Sequence, residues 1–169
     1  MRIFLIGMMG VGKTTLGRQL AQKLGYTFVD LDDYIVQREG RSITQIFEQE
    51  GQQKFRELER QALEAVVQEY EQAVIATGGG APCFFDNMAF INKYGKSIFL
   101  DLPASELLQR LQNSDLSVRP LLSGKSSEEL YTYLVKTIKE RRRFYEQANY
   151  TLSEKNQTIH GLETLLNIK

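Results

Sequence analysis

Residues 7–14 read Gly7-Met8-Met9-Gly10-Val11-Gly12-Lys13-Thr14, a complete GxxxxGK[ST] pattern. It follows Arg2–Ile6, which is apolar inside, and precedes Leu16, Leu20 and Leu24, which recur at i, i+4 and i+8 before Gly25. An apolar strand feeding a glycine-rich turn and then an amphipathic helix over Lys13–Leu24 is the context in which this pattern cradles phosphate. The glycines let backbone N–H groups turn toward phosphate oxygens, and the helix N-terminus adds positive potential. Lys13 can then reach the β- and γ-phosphates, and the Thr14 hydroxyl is placed to ligate Mg²⁺. The expected ATP contacts are Gly10, Val11, Gly12, Lys13, Thr14 and Thr15. The side chains of Met8, Met9 and Val11 are expected to matter less than their amides.

Short apolar runs alternate with helical patterns along the rest of the chain. Arg2–Ile6, Thr27–Leu31, Ala73–Ala76, Ser97–Asp101 and, more weakly, Asn149–Leu152 read as strands. Ser42 with Gln45 resembles a capping box opening a helix that carries Ile43, Ile46 and Phe47. Gly51 interrupts, and a second helix follows to about Tyr70. Glu106–Leu111, Glu128–Tyr145 and His160–Leu166 complete the helical set. Strand–helix alternation of this kind predicts the α/β class: a three-layer P-loop fold, a five-stranded parallel sheet with helices on both faces and a mobile lid. Ligands then belong at the C-terminal ends of the strands.

The chain has 169 residues with no repeat and no Pro- or Ser-rich linker, so one domain over 1–169 is expected. Substrate-binding helices are expected over about 33–60 and the lid over about 112–125. Lys plus Arg is 21 and Asp plus Glu is 21, and zero net charge argues against bulk capture by nucleic acid or anionic membrane. Cys83 is the single cysteine and His160 the single histidine, which excludes an internal disulfide and a Cys/His zinc site. The apolar N-terminal run is broken by Gly7, Gly10 and Gly12, is too short to span a bilayer and lacks a small-residue cleavage site. A cytoplasmic monomer is the expectation.

The other strand ends carry candidate chemistry. Val29-Asp30-Leu31-Asp32-Asp33 ends the second strand, and in extended chain Asp30 and Asp32 project together. One would sit near the metal and the other would accept a proton from an attacking hydroxyl, while Asp33 is expected to cap the helix starting near Tyr34. Arg56 lies in register with Leu63 and Val67 at the head of an apolar stripe. There it meets either an anionic ligand or an internal partner, or it snorkels to solvent. Thr77-Gly78-Gly79-Gly80-Ala81 places three glycines at the end of the third strand, which favours a ligand-contacting loop. The polar stretch 112–127 reads as a lid from which Arg119 would swing over the phosphates. Arg141, Arg142 and Arg143 point three ways on one helix, and Arg141, four residues before Tyr145, is the inward member.

No Asp completes an NKxD element at Asn92-Lys93-Tyr94-Gly95, and no apolar strand runs into Asp-Glu, which argues against guanine-specific proteins and remodelling ATPases. The set instead resembles the shikimate kinase family, within the nucleoside-monophosphate-kinase-like P-loop group. The resemblance rests on Gly7–Thr14, Asp30-Leu31-Asp32, Gly40-Arg41-Ser42-Ile43 with Ile46-Phe47, and Gly51 with Phe55-Arg56-Glu57. It continues through Gly78-Gly79-Gly80-Ala81, Arg119-Pro120-Leu121-Leu122 and Arg141 with Tyr145, spanning Ile3 to about Asn149. The family often has proline two residues after the helix arginine, where this chain has Arg143. The resemblance implies transfer of the ATP γ-phosphate to the 3-hydroxyl of shikimate, with Mg²⁺ as cofactor. It implies that Asp32 holds shikimate hydroxyls and acts as base, with Asp30 near the metal. Arg56 and Arg141 would clamp the carboxylate, Gly78, Gly79 and Gly80 would line the pocket, Arg119 would be the lid arginine and Arg110 would stack on adenine. The rival readings are a kinase for gluconate or a nucleoside monophosphate and, from another class, a nucleotide-binding regulatory module without turnover.

Overall fold

The apolar run Arg2–Ile6 forms strand β1 and takes the centre of a five-stranded sheet in a computed structural model that describes residues 1–114 and 122–168. Thr27–Asp30 (β2) and Tyr150–Ser153 (β5) are the edges, and Ala73–Ala76 (β3) and Lys96–Asp101 (β4) flank the centre, in the order β2-β3-β1-β4-β5. Every pairing is parallel, with Phe4 opposite Ile75 on one side and Ser97 on the other. All four residues of β3 and Ile3–Ile6 of β1 are buried. Side chains alternate between the two faces of a strand, so both faces of the sheet are covered and the expected three-layer α/β arrangement is present.

The covering helices are Lys13–Leu24 (α1), Leu31–Glu39 (α2), Ile43–Glu69 (α3), Asn87–Tyr94 (α4), Ala104–Gln112 (α5), Ser127–Tyr145 (α6) and Ile159–Leu166 (α7). The capping box at Ser42 forms in full: its hydroxyl accepts from Gln45 N at 3.1 Å, and Gln45 Oε1 accepts from Ser42 N at 2.8 Å. Gly51 breaks α3 where the sequence places an interruption, with φ 81° and ψ 176°, an extended mirror-image conformation that only glycine adopts readily.

Four local readings are corrected. Strand β2 stops at Asp30 and α2 begins at Leu31, so Asp32 lies in a helix and does not project from a strand beside Asp30. The cap of α2 is Asp30, whose Oδ1 accepts from Asp32 N at 3.1 Å and Asp33 N at 3.4 Å, while Asp33 is exposed in the first turn. A carboxylate satisfies the orphan amides of the first turn best from the position just before the helix. Helix α4 was not among the expected helices. It is eight residues long and buries only Asn87, Met88 and Ile91, too few apolar positions to show a period. Strand β5 starts one residue later than expected, because Asn149 interlocks with Ser97: Asn149 Oδ1 accepts from Ser97 N at 2.9 Å and Ser97 Oγ accepts from Asn149 N at 2.9 Å.

The expected lid, 112–125, falls partly outside the described residues, and Arg119 with it. Among the described residues no helix is long and apolar enough to cross a membrane. His160 is exposed on α7 and Cys83 is half-buried beside the core.

Candidate active site

The loop between β1 and α1 bends through left-handed backbone at Gly10 (φ 77°) and Gly12 (φ 102°). Gly12 is the N-cap of α1 and offers no side chain to the first-turn amides, which leaves that helix end suited to an anion. Lys13 is buried and folds back over the loop, donating from Nζ to Gly7 O at 2.7 Å and Met8 O at 2.8 Å. The Thr14 hydroxyl donates to Asp30 Oδ2 at 2.8 Å, so the carboxylate that caps α2 also ties α1 to β2. These groups line one cavity of about 380 Å³ together with Gly10, Gly12, Thr15, Asp32, Gly78 and Gly79. Arg110 of α5 closes its rim, donating from Nη1 to Val11 O at 3.2 Å.

The opposite wall is built on Gly78–Gly80. None of the three has positive φ, so their purpose is space. A Cβ on Gly80 would lie 2.5 Å from Arg56 Nη2, and one on Gly79 would lie 3.2 Å from Arg141 Nη1. On Gly78 it would lie 2.8 Å from Glu59 Oε2 and 3.2 Å from Asp32 Oδ1. Charged side chains from α2, α3 and α6 thus converge on one bare stretch of backbone. Tyr145, four residues after Arg141 and fully buried, donates its hydroxyl to Gly79 O at 2.5 Å and fixes the loop to α6.

Arg56 is 5% exposed, and it meets an internal partner, Glu59, through an Nη1–Oε1 contact of 2.9 Å. The rings of Phe84 and Phe55 cover its guanidinium at 4.3 Å and 5.2 Å. Around this wall four shielded atoms nonetheless have no hydrogen-bond partner: Arg56 Nε, Glu59 Oε2, Asp32 Oδ1 and Arg141 Nη1. Burial, and then the neighbouring Asp30 charge, raise the Asp32 carboxyl to about 6 against the pull of Lys13 and Arg56. Burial likewise raises Glu59 to about 7, with Arg56 opposing and Asp32 adding. Burial also pushes the Cys83 thiol up to about 11, so this cysteine carries little thiolate.

The structure therefore brings Gly10, Gly12, Lys13, Thr14, Thr15, Asp30, Asp32, Gly78, Gly79 and Arg110 around one cavity, with Gly80, Arg56 and Arg141 directly behind its glycine wall. Val11 is buried and meets the site through its carbonyl. Arg142 turns instead to Asp101, at 2.9 Å and 3.0 Å, and Arg143 is exposed. The residue that sequence reasoning missed is Glu59. Its signal was an acidic side chain three residues after Arg56 on the same buried face of α3. Glu57, which stands next to Arg56 in the sequence fragment, points outward toward Lys54.

Among the described residues no group of three or more His, Cys, Asp and Glu side chains forms a metal cage. The Thr14–Asp30 pair suits a magnesium ion whose remaining ligands come from phosphate oxygens and water, which is how this ion is commonly held.

The shikimate kinase family model matches residues 9–167. A shikimate kinase of Bacteroides fragilis is 44% identical over 175 aligned positions, covering 99% of this chain and 97% of that protein. The crystal structure of shikimate kinase from Bacteroides thetaiotaomicron superposes with a TM-score of 0.92 at 42% identity, covering 99% of this chain and 98% of that one. The Acinetobacter baumannii shikimate kinase, solved in complex with shikimate, gives 0.86 at 36% identity over 99% and 94%. The chain belongs to the shikimate kinase family.

Proposed function

We propose that the protein transfers the γ-phosphoryl group of ATP to the 3-hydroxyl of shikimate, giving shikimate 3-phosphate and ADP. The observation that carries this reading is the set of unpartnered atoms around Gly78–Gly80: two carboxylate oxygens, on Asp32 and Glu59, and two guanidinium nitrogens, on Arg56 and Arg141. Shielded polar atoms are normally satisfied. A small molecule bearing both a carboxylate and hydroxyls supplies acceptors for the arginines and donors for the acids. A nucleobase offers no such carboxylate.

In this reading Arg56 and Arg141 bind the shikimate carboxylate, and Gly78, Gly79 and Gly80 let the ring approach the backbone. Asp32 accepts the proton of the attacking hydroxyl, and a carboxyl near 6 is ionised at neutral pH yet basic enough for the task. The hydroxyl oxygen bonds to the γ-phosphorus as the bond to the ADP oxygen breaks. The amides of Gly10–Thr15 and the Lys13 ammonium hold the phosphates, and Arg110 flanks the loop on the nucleotide side. Thr14 would hold a magnesium ion with Asp30 beside it, and that ion would supply charge neutralisation to the phosphates. Arg119 is assigned the lid role from the polar stretch that carries it and from the resemblance. A small anionic polyol with ATP suits the cytoplasm.

The test is ADP release from Mg-ATP by the purified protein with shikimate, gluconate, AMP, CMP or no acceptor. Turnover that requires shikimate and disappears in Asp32→Asn and Arg56→Ala supports the assignment. Stimulation by gluconate or a nucleotide would overturn the acceptor. ATP binding without any acceptor-dependent turnover would overturn the enzyme reading.

A further inference from the structure

Asn87 is fully buried at the first position of α4, and its side chain does not serve its own helix. Its Nδ2 instead donates to Ala81 O at 2.8 Å, six residues back, and its Oδ1 accepts from Arg60 Nη1 at 2.9 Å. Arg60 also pairs with Asp86 and lies over the Phe90 ring at 4.5 Å. A buried amide satisfied at both ends by such distant groups pins the segment between them.

That segment follows directly from the glycine wall. Ala81 N donates to Gly78 O at 3.2 Å and Cys83 N to Gly80 O at 2.9 Å, forming a short 3-10 turn over Ala81–Cys83. Phe84 then lays its ring over the Arg56 guanidinium at 4.3 Å. Phe85 adopts φ 51°, a left-handed conformation that costs a non-glycine residue about 1–2 kcal/mol, so the turn does not hold itself in this shape. Arg56 and Arg60 are four residues apart on α3, and they grip the two ends of the segment. Arg56 meets Gly80 and Phe84 at the cavity end, and Arg60 meets Asp86 and Asn87 at the far end.

We propose that Asn87, held by Arg60, is a positioning residue for the acceptor: its bond to Ala81 O sets the distance between the Gly78–Gly80 wall and the Arg56 guanidinium. This rests on the acceptor reading above, and neither Asn87 nor Arg60 lines the cavity that the phosphate loop shares. Loosening this contact should therefore change acceptor affinity without an equal change in ATP affinity.

The experiment is steady-state kinetics of the full chain with shikimate and ATP varied separately, alongside thermal unfolding. Asn87→Asp keeps size and the acceptor for Arg60 but turns the donor facing Ala81 O into an acceptor. The expected result is a KM for shikimate raised at least about tenfold, the scale of one buried hydrogen bond lost, with the KM for ATP within about twofold. Arg60→Ala, at a more accessible position, is expected to raise the shikimate KM about threefold with the same selectivity, and it carries the test if Asn87→Asp does not fold. A shikimate KM unchanged in the folded variants, or shikimate and ATP constants moving together, would overturn the inference. Arg56→Ala in the same series separates the two levels. If it leaves the shikimate KM unchanged, the acceptor reading itself fails. If it destroys shikimate binding while the Asn87 and Arg60 variants do not, only the positioning role fails.

Discussion

Replacing Asp32 by Asn should make the nucleotide-free protein more stable at neutral pH while removing its activity. The fold raises this carboxyl from its ordinary 3.8 to about 6, chiefly by burial and secondly through the Asp30 charge. Between these two values the unfolded chain has released the proton and the folded chain still holds it. Stability therefore falls as pH rises through that window, and above it the full cost of the buried charge is present. A displacement of roughly two pH units corresponds to about 3 kcal/mol. Asp32 Oδ1 has no hydrogen-bond partner within the chain, so a carboxamide there breaks no such bond at that oxygen. For a chain of this size about 3 kcal/mol moves the unfolding midpoint by roughly 6–12 °C. The assay is calorimetric unfolding of both proteins, without nucleotide or divalent metal, from about pH 4 to about pH 8, spanning the two values. The variant should match the parent at the acid end and exceed it progressively toward neutrality. Acceptor-dependent turnover should fall by about 10²–10⁴, the usual worth of a placed base. A stability difference that does not change with pH, or a variant less stable than the parent near neutrality, would refute the argument that Asp32 is a strained ionised carboxylate.

Three further outcomes follow from the geometry. Gly80→Ala puts a methyl group 2.5 Å from Arg56 Nη2, so the guanidinium must move; the shikimate KM should rise about tenfold or more while nucleotide affinity, read by titration, is unchanged. Arg142→Ala should leave both KM values within about twofold and cost at most about 1 kcal/mol in denaturant unfolding, because Arg142 pairs with Asp101 at a partly exposed position. Ser42→Ala removes one half of the capping box and should lower stability by about 1 kcal/mol, or roughly 2–4 °C in the unfolding midpoint, with steady-state constants unaltered.

What the sequence made legible, and what it did not, divides along the range of the physics. The phosphate loop was readable because its chemistry is local: glycines at Gly10 and Gly12 take the left-handed backbone, and Lys13 and Thr14 follow at once on α1. Strand positions were readable because β1, β3 and β4 are apolar on both faces, and the break at Gly51 because a single residue type carries it. Boundaries were less so. Whether Asp30 or Asp33 caps α2 depends on where β2 leaves the sheet, and tertiary pairing with β3 through Asp30 and Ala76 decides that. Helix α4 escaped because its eight residues owe their place to Asn87 reaching back to Ala81, a contact with no periodicity.

The same division explains the acceptor site. A basic residue on an apolar stripe marks Arg56 as unusual, but the pattern alone leaves open a ligand, an internal salt bridge or a snorkelling side chain. The fold retains two of these at once: Glu59 Oε1 pairs with Arg56 Nη1, while Glu59 Oε2 and Arg56 Nε remain unpartnered. A purely structural ion pair of this burial would be expected to satisfy its remaining atoms within the protein, since each shielded orphan costs about 1–3 kcal/mol. Two arginines elsewhere are paired in that way. Arg142 has both its terminal nitrogens on Asp101, and Arg60 is shared among Glu64, Asp86 and Asn87. Among the described residues the unpartnered shielded atoms elsewhere, on Glu106, Gln157 and Glu163, are acceptors only. Around the glycine wall donors and acceptors on Arg56, Arg141, Asp32 and Glu59 are left open together, and that is what separates a binding site from a salt-bridge network.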